Sequence, residues 1–302
     1  MQVILTKNLK KSYRQHEVVK GISLQVNEGE IFGFLGRNGA GKTTFINMLT
    51  GIVKPSGGEF HILGASGKQL DKVKCEVGVL PDYTEFYSND SALEHLQYFT
   101  GLQKRKVTRQ QCMDVLEQVG LKNAAYVKTK KYSFGMKKKL GVAQAIIGNP
   151  SLIFLDEPTS GMDPESAIEI RHLLVSLSAQ KKTIFMTSHN LSEVEKLCTR
   201  IAMMKDGVIS GLGTVEQLQQ QFQAKVEVTI RLCPKSESSY RSAINEIESF
   251  CKVTGWDRRY IAVEVADDSD IAAMVRLLCS HGVDIFEVQV NRPSLEEIFM
   301  HG

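Results

Sequence analysis

The fold of this chain is decided by the stretch Gly36-Arg37-Asn38-Gly39-Ala40-Gly41-Lys42-Thr43-Thr44. It fits the P-loop pattern, in which glycines let the backbone curl and aim its N–H groups at phosphate oxygens. The lysine reaches the β- and γ-phosphates, and the first threonine hydroxyl can ligate Mg²⁺. Residues 30–35 read as a buried strand before this loop, and 45–49 read as the helix after it. This order predicts a nucleotide site; the alternative is a glycine-rich turn with a fortuitous lysine.

A second group of candidate residues follows an apolar strand further along the chain. Residues 152–155 are continuously apolar and lead into Asp156 and Glu157. This is the Walker B arrangement, in which the first acid can hold Mg²⁺ through water and the second can orient or deprotonate an attacking water. The alternative is a strand end whose acids face solvent, which a P-loop in the same chain disfavours.

The composition is that of an ordinary globular protein. The 302 residues suffice for one large domain and one small one, and 42% are apolar and 24% charged. A net charge of +3 gives no argument for nucleic acid or anionic lipid, so we expect no nucleic-acid partner. The basic run at 137–139 is interpreted as a solvated helix face.

The cysteines, the first residues and the hydropathy bear on location. Six cysteines are scattered without a C-x-x-C pair, and no histidine cluster has zinc spacing, so we expect reduced thiols in the cytosol. Residues 1–7 lack the apolar core of a signal peptide, and no apolar run approaches the length of a membrane span. Any membrane role is therefore expected to come through a partner.

The order of patterns predicts an α/β protein. The part up to residue 63 is strand-rich, with the helix after the P-loop embedded in it. Apolar residues then recur at helical spacing, which indicates a helical insert at about 85–150. Apolar strands at 152–155 and 183–187 alternate with helical patterns, as in a parallel sheet with crossover helices.

The last part of the chain predicts a separate small domain. We place the first domain at 1–220 and the second at 225–302. The second reads in turn as strand 226–232, helix 237–250, two strands around 256–257, helix 271–280 and strand 285–290. This βαββαβ order is that of the ferredoxin-like fold. A capping box at Ser294 predicts a short last helix over 294–300.

The sequence contains three further motifs besides the P-loop and the Walker B strand. Tyr132-Ser133-Phe134-Gly135-Met136 lies upstream of the Walker B strand, just before a helix predicted to begin near Lys137. Ser160-Gly161-Met162-Asp163 follows that strand, and His189 follows the next one. Over residues 2–220 this series resembles the signature motif, D-loop and switch histidine of the ATP-binding-cassette (ABC) ATPases. The form of the signature and the segment 292–299 are similar to the ABC-2 type exporter branch, which often carries a small C-terminal domain.

This resemblance implies a fold, a reaction and partners. The fold is α/β, with a P-loop NTPase core of RecA-like type, an antiparallel β subdomain and a helical subdomain, followed by the small α+β ferredoxin-like domain. The reaction is hydrolysis of ATP to ADP and phosphate with Mg²⁺. ATP would lie between the P-loop of one subunit and the signature of another, so a second ATP-binding subunit is needed, either a copy or a paralogue. The other partner is an integral membrane permease, which places the chain peripherally at the cytoplasmic face of the membrane.

The resemblance also implies roles for individual residues. The catalytic residues are Lys42, Asp82, Glu157 and His189. The metal ligands are Thr43, Asp82 and Asp156. The nucleotide-binding residues are Tyr13, Gly36, Arg37, Asn38, Gly39, Ala40, Gly41, Lys42, Thr43, Thr44, Ser133, Gly135 and Asp163. Tyr13 is expected to stack on adenine; for a lone tyrosine the alternative is a half-buried strand residue.

Two residues depart from the family pattern. Phe134 stands where the first signature glycine is usual, and its bulk is expected to restrict the turn. Asp82 stands where the family normally has a glutamine. Its carboxylate can accept from water or approach Mg²⁺, but it cannot donate as an amide does. The alternative is that Asp82 caps the following turn and faces water.

Other classes of protein share part of these patterns. Cassette ATPases of translation usually carry two cassettes, and those of DNA repair carry long coiled-coil or zinc insertions; this chain has neither. A regulatory module that binds ATP and hardly turns it over is compatible with Phe134 and Asp82, but the retained catalytic residues argue against it. A P-loop GTPase or kinase is disfavoured because the guanine-reading Asn-Lys-x-Asp is missing and the signature would be unexplained.

Overall fold

The computed structural model describes residues 1–82, 85–103, 106–221 and 226–291, with the backbone alone described for Gln220. Contacts divide the chain into two compact units, Met1–Val215 and Glu216–Gly302. This division falls a few residues before the boundary expected at 220–225, and the functional boundary remains a prediction. A helix of seven residues, α7, runs over Val215–Gln221 where the two units meet in sequence.

The first unit contains an antiparallel sheet and a larger, mostly parallel one. The antiparallel sheet consists of β1 (Gln2–Tyr13), β2 (His16–Asn27), β4 (Gly57–Ile62) and β5 (Ala65–Ser66), in the order β2-β1-β4-β5. The larger sheet consists of β3 (Ile31–Gly36), β6 (Val77–Leu80), β7 (Leu152–Asp156), β8 (Thr183–Ser188), β9 (Arg200–Lys205) and β10 (Val208–Gly213). Its order is β10-β9-β3-β8-β7-β6, and only β10 is antiparallel to its neighbour.

Three adjacent inner strands of the larger sheet, β3, β8 and β7, are mostly apolar because both of their faces are covered. Every residue of β3, β7 and β8 is buried, as expected for parallel strands between layers. Phe185 on β8 lies at the centre of this core. Its ring centroid is 5.5 Å from that of Phe32, 5.5 Å from that of Phe34 and 5.6 Å from that of Phe154.

Six α-helices in the described part of the first unit surround these sheets or form the helical insert. They are α1 (Lys42–Leu49), α2 (Ala92–Leu102), α3 (Arg109–Gln118), α4 (Phe134–Ile146), α5 (Pro164–Ala179) and α6 (Leu191–Leu197). Helices α2 and α3 begin with complete capping boxes at Ser91 and Thr108, so their first N–H groups are satisfied by side chains. Among the described residues, no helix is long and apolar enough to cross a membrane.

Two expectations about the start of α4 are wrong. The helix begins at Phe134 rather than near Lys137, because the Ser133 hydroxyl caps it by accepting from the N–H of Met136 at 3.2 Å. The basic run is not a uniformly solvated face either. Lys137 is exposed, but Lys138 is only 7% exposed because it lies on the inward side of the helix.

The second unit contains β11 (Val226–Pro234), α8 (Glu237–Ile247), β12 (Lys252–Trp256), β13 (Tyr260–Val265), α9 (Asp268–Ser280) and β14 (Val283–Asn291). The sheet has the order β12-β13-β11-β14 and is antiparallel throughout. This is the ferredoxin-like arrangement. Together with the first unit it confirms the predicted fold, a P-loop α/β core with an antiparallel sheet, a helical insert and a small α+β part. The predicted last helix, 294–300, lies outside the described residues.

Each unit has its own hydrophobic core. The core of the second unit is built from alternate residues of the strands, such as Val228 and Ile230, against Tyr240 and Met274 of the two helices. Because these apolar groups are buried within the unit, removing it does not take core residues from the larger sheet.

We therefore expect a chain that ends at Gln221 to keep the α/β fold of the first unit. The measurement is far-ultraviolet circular dichroism together with thermal unfolding, compared with the full chain. A single cooperative transition is the expected result. A truncated chain that is aggregated or lacks a cooperative transition would contradict the independence of the two units.

Candidate functional site

The loop between β3 and α1 is shaped by glycine. Gly39 and Gly41 have φ angles of +83° and +106°, which favour residues without a side chain. A Cβ on Gly41 would lie 2.9 Å from the Val18 carbonyl oxygen and 2.8 Å from the Met204 Cε atom, so no larger residue fits. No side chain caps the start of α1. Its first N–H groups are therefore available to an anion, and the loop fits a phosphate group.

The Lys42 side chain places a buried ammonium group beside this loop. The residue is 6% exposed, and its Nζ donates to the carbonyl oxygens of Gly36 at 2.7 Å and Arg37 at 3.4 Å. The same Nζ lies 3.6 Å from Oε1 of Glu157, which is an ion-pair distance but too long for a hydrogen bond. The ammonium group thus lies between the P-loop and the end of the Walker B strand.

Asp156 is held at the buried end of β7. Thr187 on the neighbouring strand donates a short hydrogen bond from its hydroxyl to Oδ1 of Asp156. The same hydroxyl accepts from the Glu157 N–H at 3.0 Å. Burial raises the pKa of Asp156, and hydrogen bonds with Thr187 and Thr43 act in the opposite direction. Thr43 and Asp156, both expected to approach a metal ion, are therefore adjacent.

Glu157 has an uncommon backbone conformation, and one of its two carboxylate oxygens lacks a hydrogen bond from the described residues. Its φ of +52° is uncommon for a residue with a side chain. Oε2 lies 2.8 Å from Nδ1 of His189. Oε1 is buried and has no hydrogen-bond partner within the described part of the chain. This oxygen is available to accept a proton from a nucleophile near Lys42.

Asp82 lies at the rim of the same cluster. It follows β6, and its side chain is 59% exposed. Its carbonyl oxygen accepts from Nζ of Lys138 at 3.0 Å, and its Oδ1 lies 3.7 Å from the same nitrogen. Burial is the main cause of the raised pKa of Asp156, and the charge of Asp82 acts in the same direction.

The signature and the D-loop form a second group. Asp163 caps α5 by accepting from the Ser166 N–H at 2.9 Å, and this bond lowers the pKa of Asp163. A Cβ on Gly135 would lie 3.7 Å from Oδ2 of Asp163, so the two motifs are in contact. The ring of Phe134 is 57% exposed and lies over Gly161, at which a Cβ would be 2.6 Å from the Phe134 Cε1 atom.

Tyr13 lies in the hairpin between β1 and β2, where it pairs with His16. Tyr13 is the last residue of β1 and is 46% exposed, so its ring is accessible, and its stacking on adenine remains a prediction beside the alternative of a half-buried strand residue. Lys11 places its Nζ 4.8 Å from the ring centroid. Val18, two residues beyond His16, is in contact with the P-loop at Gly41. The hairpin therefore approaches the loop from the side of the antiparallel sheet.

Sequence reasoning gave no role to Thr187 or Lys138. Thr187 is the penultimate residue of β8, the strand beside the Walker B strand, and a hydroxyl at that position is a usable signal. Lys138 precedes the buried residues Val142 and Ala145 by four and seven positions. This helical spacing indicates the inward face of α4 and could have identified Lys138 as buried.

A metal ion at this site is expected to be shared with a bound phosphate. No group of three or more His, Cys, Asp or Glu residues within the described ranges could hold a metal alone. Mg²⁺ is commonly bound through one or two carboxylates together with substrate phosphates. Asp156 beside Thr43 at the end of the P-loop fits that kind of site.

Comparison with known proteins gives two family matches. The model described as "ABC transporter" matches residues 19–160. The model described as "ATP-binding protein DrrA1-3-like, C-terminal domain" matches residues 213–301. The two matches fall on the P-loop core and on the ferredoxin-like part.

Similar proteins cover nearly the whole chain. The ABC transporter ATP-binding protein YhcH of Bacillus subtilis is 33% identical over 99% of this chain and 95% of its own length. The bacitracin transport ATP-binding protein BcrA of Bacillus licheniformis is 31% identical over 99% of this chain and 96% of its own length. A bacterial ABC transporter cassette, solved as a dimer, has a TM-score of 0.66 at 24% identity and covers 70% of this chain and 98% of that one. At this identity the solved cassette supports the fold.

We expect Thr187→Val to slow ATP hydrolysis more than Thr183→Val does. Thr187→Val leaves the Glu157 N–H without its acceptor and Asp156 without a donor, which costs about 1–3 kcal/mol of stability. Thr183 is a matched control, because it is buried on the same strand and accepts from the Gly29 N–H at 3.1 Å, away from the site. Thermal unfolding should show a loss in both variants, and steady-state hydrolysis should fall in Thr187→Val alone. Equal hydrolysis by the two variants would contradict the role of Thr187.

Proposed function

Because the chain belongs to the family of ABC transporter ATP-binding proteins, we propose that its ATPase activity drives a membrane permease in the direction of export. The observation that carries the proposal is Oε1 of Glu157, which accepts no hydrogen bond from the described residues, lies at an ion-pair distance of 3.6 Å from the Lys42 ammonium group and belongs to a carboxylate bound to His189. Export is supported by the similarity of residues 213–301 to the DrrA-like C-terminal domain and by the full-length similarity to the bacitracin transport protein.

The arrangement suits in-line attack of water on the γ-phosphate. Glu157 accepts a proton from the water through Oε1 while the water oxygen bonds to the γ-phosphorus and the bond to the β-phosphate oxygen breaks. His189 holds the other carboxylate oxygen, and so it fixes the direction of Oε1. Lys42 supplies positive charge where negative charge accumulates on the phosphates.

Thr43 and Asp156 are the residues that would hold Mg²⁺, with Asp82 at the outer side. The ion supplies charge neutralisation on the phosphate oxygens. Thr187 keeps the Asp156 carboxylate in place by donating to Oδ1. Tyr13 at the exposed end of β1 is the residue proposed to stack on adenine.

The signature group completes the site from a second copy of the chain. Ser133 and Phe134 are exposed at the start of α4, whose first N–H groups can approach a γ-phosphate. One chain provides one P-loop and one signature, so two copies facing each other form two complete sites. The solved cassette of similar fold is likewise a dimer.

A groove on the first unit is the proposed docking site for the permease. It has a volume of about 880 Å³ and lies between the end of α1, β6 and the helical insert. Leu49, Ile52 and Phe99 give it apolar walls. Oε1 of Gln103 is buried at the groove without a partner among the described residues, and it could accept from an inserted permease segment. Pro81 also lines the groove and precedes Asp82, which links the docking site to the metal side. This binding would place the chain peripherally at the cytoplasmic face of the membrane.

We expect Glu157→Gln to bind ATP and to lose turnover, because the amide keeps the shape of the side chain and cannot accept the proton. The ATP-bound protein should accumulate as a dimer, seen as an earlier elution in size-exclusion chromatography. Lys42→Ala is the contrasting control, since removing a phosphate-facing charge should abolish ATP binding itself. Wild-type hydrolysis by Glu157→Gln would overturn the role of Glu157, and unchanged ATP affinity in Lys42→Ala would overturn the P-loop assignment.

We further expect Asp82→Gln to make ATP binding less dependent on Mg²⁺. The Asp82 carboxylate attracts the metal ion and repels the γ-phosphate when the metal is absent. The measurement is ATP affinity with Mg²⁺ and with a chelator in the wild type and the variant. Glu85→Gln is a matched control, since it removes the same charge from an exposed residue nearby. Equal metal dependence in wild type and Asp82→Gln would mean that Asp82 only faces water.

A further inference from the structure

Lys138 is a buried cation between the signature and the hydrolytic residues. It lies five residues after Ser133 on α4 and is 7% exposed. The lysines beside it differ, because Lys137 is exposed and Lys139 forms an ion pair with Glu169 at 2.6 Å. Lysine is rarely buried unless it is paired, so its surroundings call for a specific explanation.

The Lys138 ammonium group has three N–H donors, and three acceptors lie around it. It donates to the carbonyl oxygen of Glu157 at 3.0 Å and to that of Asp82 at 3.0 Å. Its third neighbour is Oδ1 of Asp82 at 3.7 Å. Burial lowers the pKa of Lys138, and the nearby carboxylates act against that shift. One side chain therefore joins α4 to two segments that are far apart in the sequence.

The contact with Glu157 restrains the backbone of that residue. A non-glycine residue at positive φ is strained and persists only where its surroundings hold it. Two side chains hold Glu157 from opposite ends of its backbone. Thr187 accepts from its N–H at 3.0 Å, and Lys138 donates to its carbonyl oxygen at 3.0 Å. The direction of the Glu157 carboxylate depends on this backbone conformation.

We propose that Lys138 is a positioning residue for hydrolysis, which holds the Glu157 backbone and the Asp82 segment in the arrangement needed for attack on the γ-phosphate. The role rests on the proposed ATPase function. Because Ser133 caps the helix that carries Lys138, a shift of the signature against a second subunit would also shift the support of Glu157. Within one chain, Lys138 thus links the signature, which would contact the second subunit, to the carboxylate of Glu157, which would take part in hydrolysis.

The test compares Lys138→Met with Lys137→Met, the same substitution at the exposed neighbour on the same helix. Lys138→Met keeps most of the unbranched apolar stem of the side chain and removes the charge and all three donors. We expect kcat to fall on the order of 10- to 100-fold, since small misplacements of catalytic groups have effects of that size. ATP affinity should stay within about twofold, because no phosphate contact is removed. Lys137→Met should match the wild type in both quantities.

A second measurement separates positioning from general destabilisation. In a Glu157→Gln background, Lys138→Met should slow the residual single-turnover hydrolysis by less than about twofold, because residues that act as a unit are not additive. A merely structural role would lower the rate by the same factor in both backgrounds. If Lys138→Met does not fold, Lys138→Gln serves instead: its amide can still donate but carries no charge, so kcat should fall about 2- to 10-fold, and a wild-type kcat in Lys138→Gln would equally overturn the role.

Three results would overturn the role of Lys138. They are a wild-type kcat in Lys138→Met, a loss of ATP affinity as large as that of Lys42→Ala, and full additivity with Glu157→Gln. Failure of the proposed function is distinguishable, because in that case the wild-type chain itself would not hydrolyse ATP and would show no loss on Glu157→Gln.

Discussion

The hydrolytic site depends on the register between β7 and β8. These parallel strands pair Asp156 directly with Thr187. That pairing lets one hydroxyl donate to the Asp156 carboxylate and accept from the N–H of Glu157. His189 follows two residues later and reaches the Glu157 carboxylate at 2.8 Å. A slip of one residue would turn these side chains to the opposite face of the sheet and separate all three contacts.

The parts that could be predicted from sequence are those that depend on local patterns. The P-loop needs glycine at fixed positions, and continuous apolar runs reveal strands covered on both faces, as in β7 and β8. The second unit was predictable because its antiparallel strands alternate between a covered and an open face, so the βαββαβ order could be read directly. These features are set by residues close to one another in the chain.

What could not be predicted depends on contacts between distant segments. Lys138 was interpreted as part of a solvated basic run, because its partners at positions 82 and 157 are not apparent from the local sequence. The first turn of α4 was also missed. The sequence assigns Ser133 to a signature motif. In the structure its hydroxyl also caps the helix by accepting from the N–H of Met136. When a residue is assigned to a ligand-binding motif, its second role as a helix cap is easily overlooked, and the helix is then expected to begin too late.

Each of the two residues that depart from the family pattern, Phe134 and Asp82, lies beside a residue that accommodates it. The bulk of Phe134 was expected to restrict the signature turn, but its ring lies over Gly161, where a side chain would clash at 2.6 Å. Asp82 brings a negative charge to a site that already contains Asp156 and Glu157. Lys138 places a positive charge 3.7 Å from that carboxylate and also binds its carbonyl oxygen. Without a nearby positive charge, the carboxylates of Asp82, Asp156 and Glu157 would repel one another more strongly in this partly buried site. Because Asp82 and Lys138 lie beside each other, we expect the effect of either residue on nucleotide binding to depend on the presence of the other.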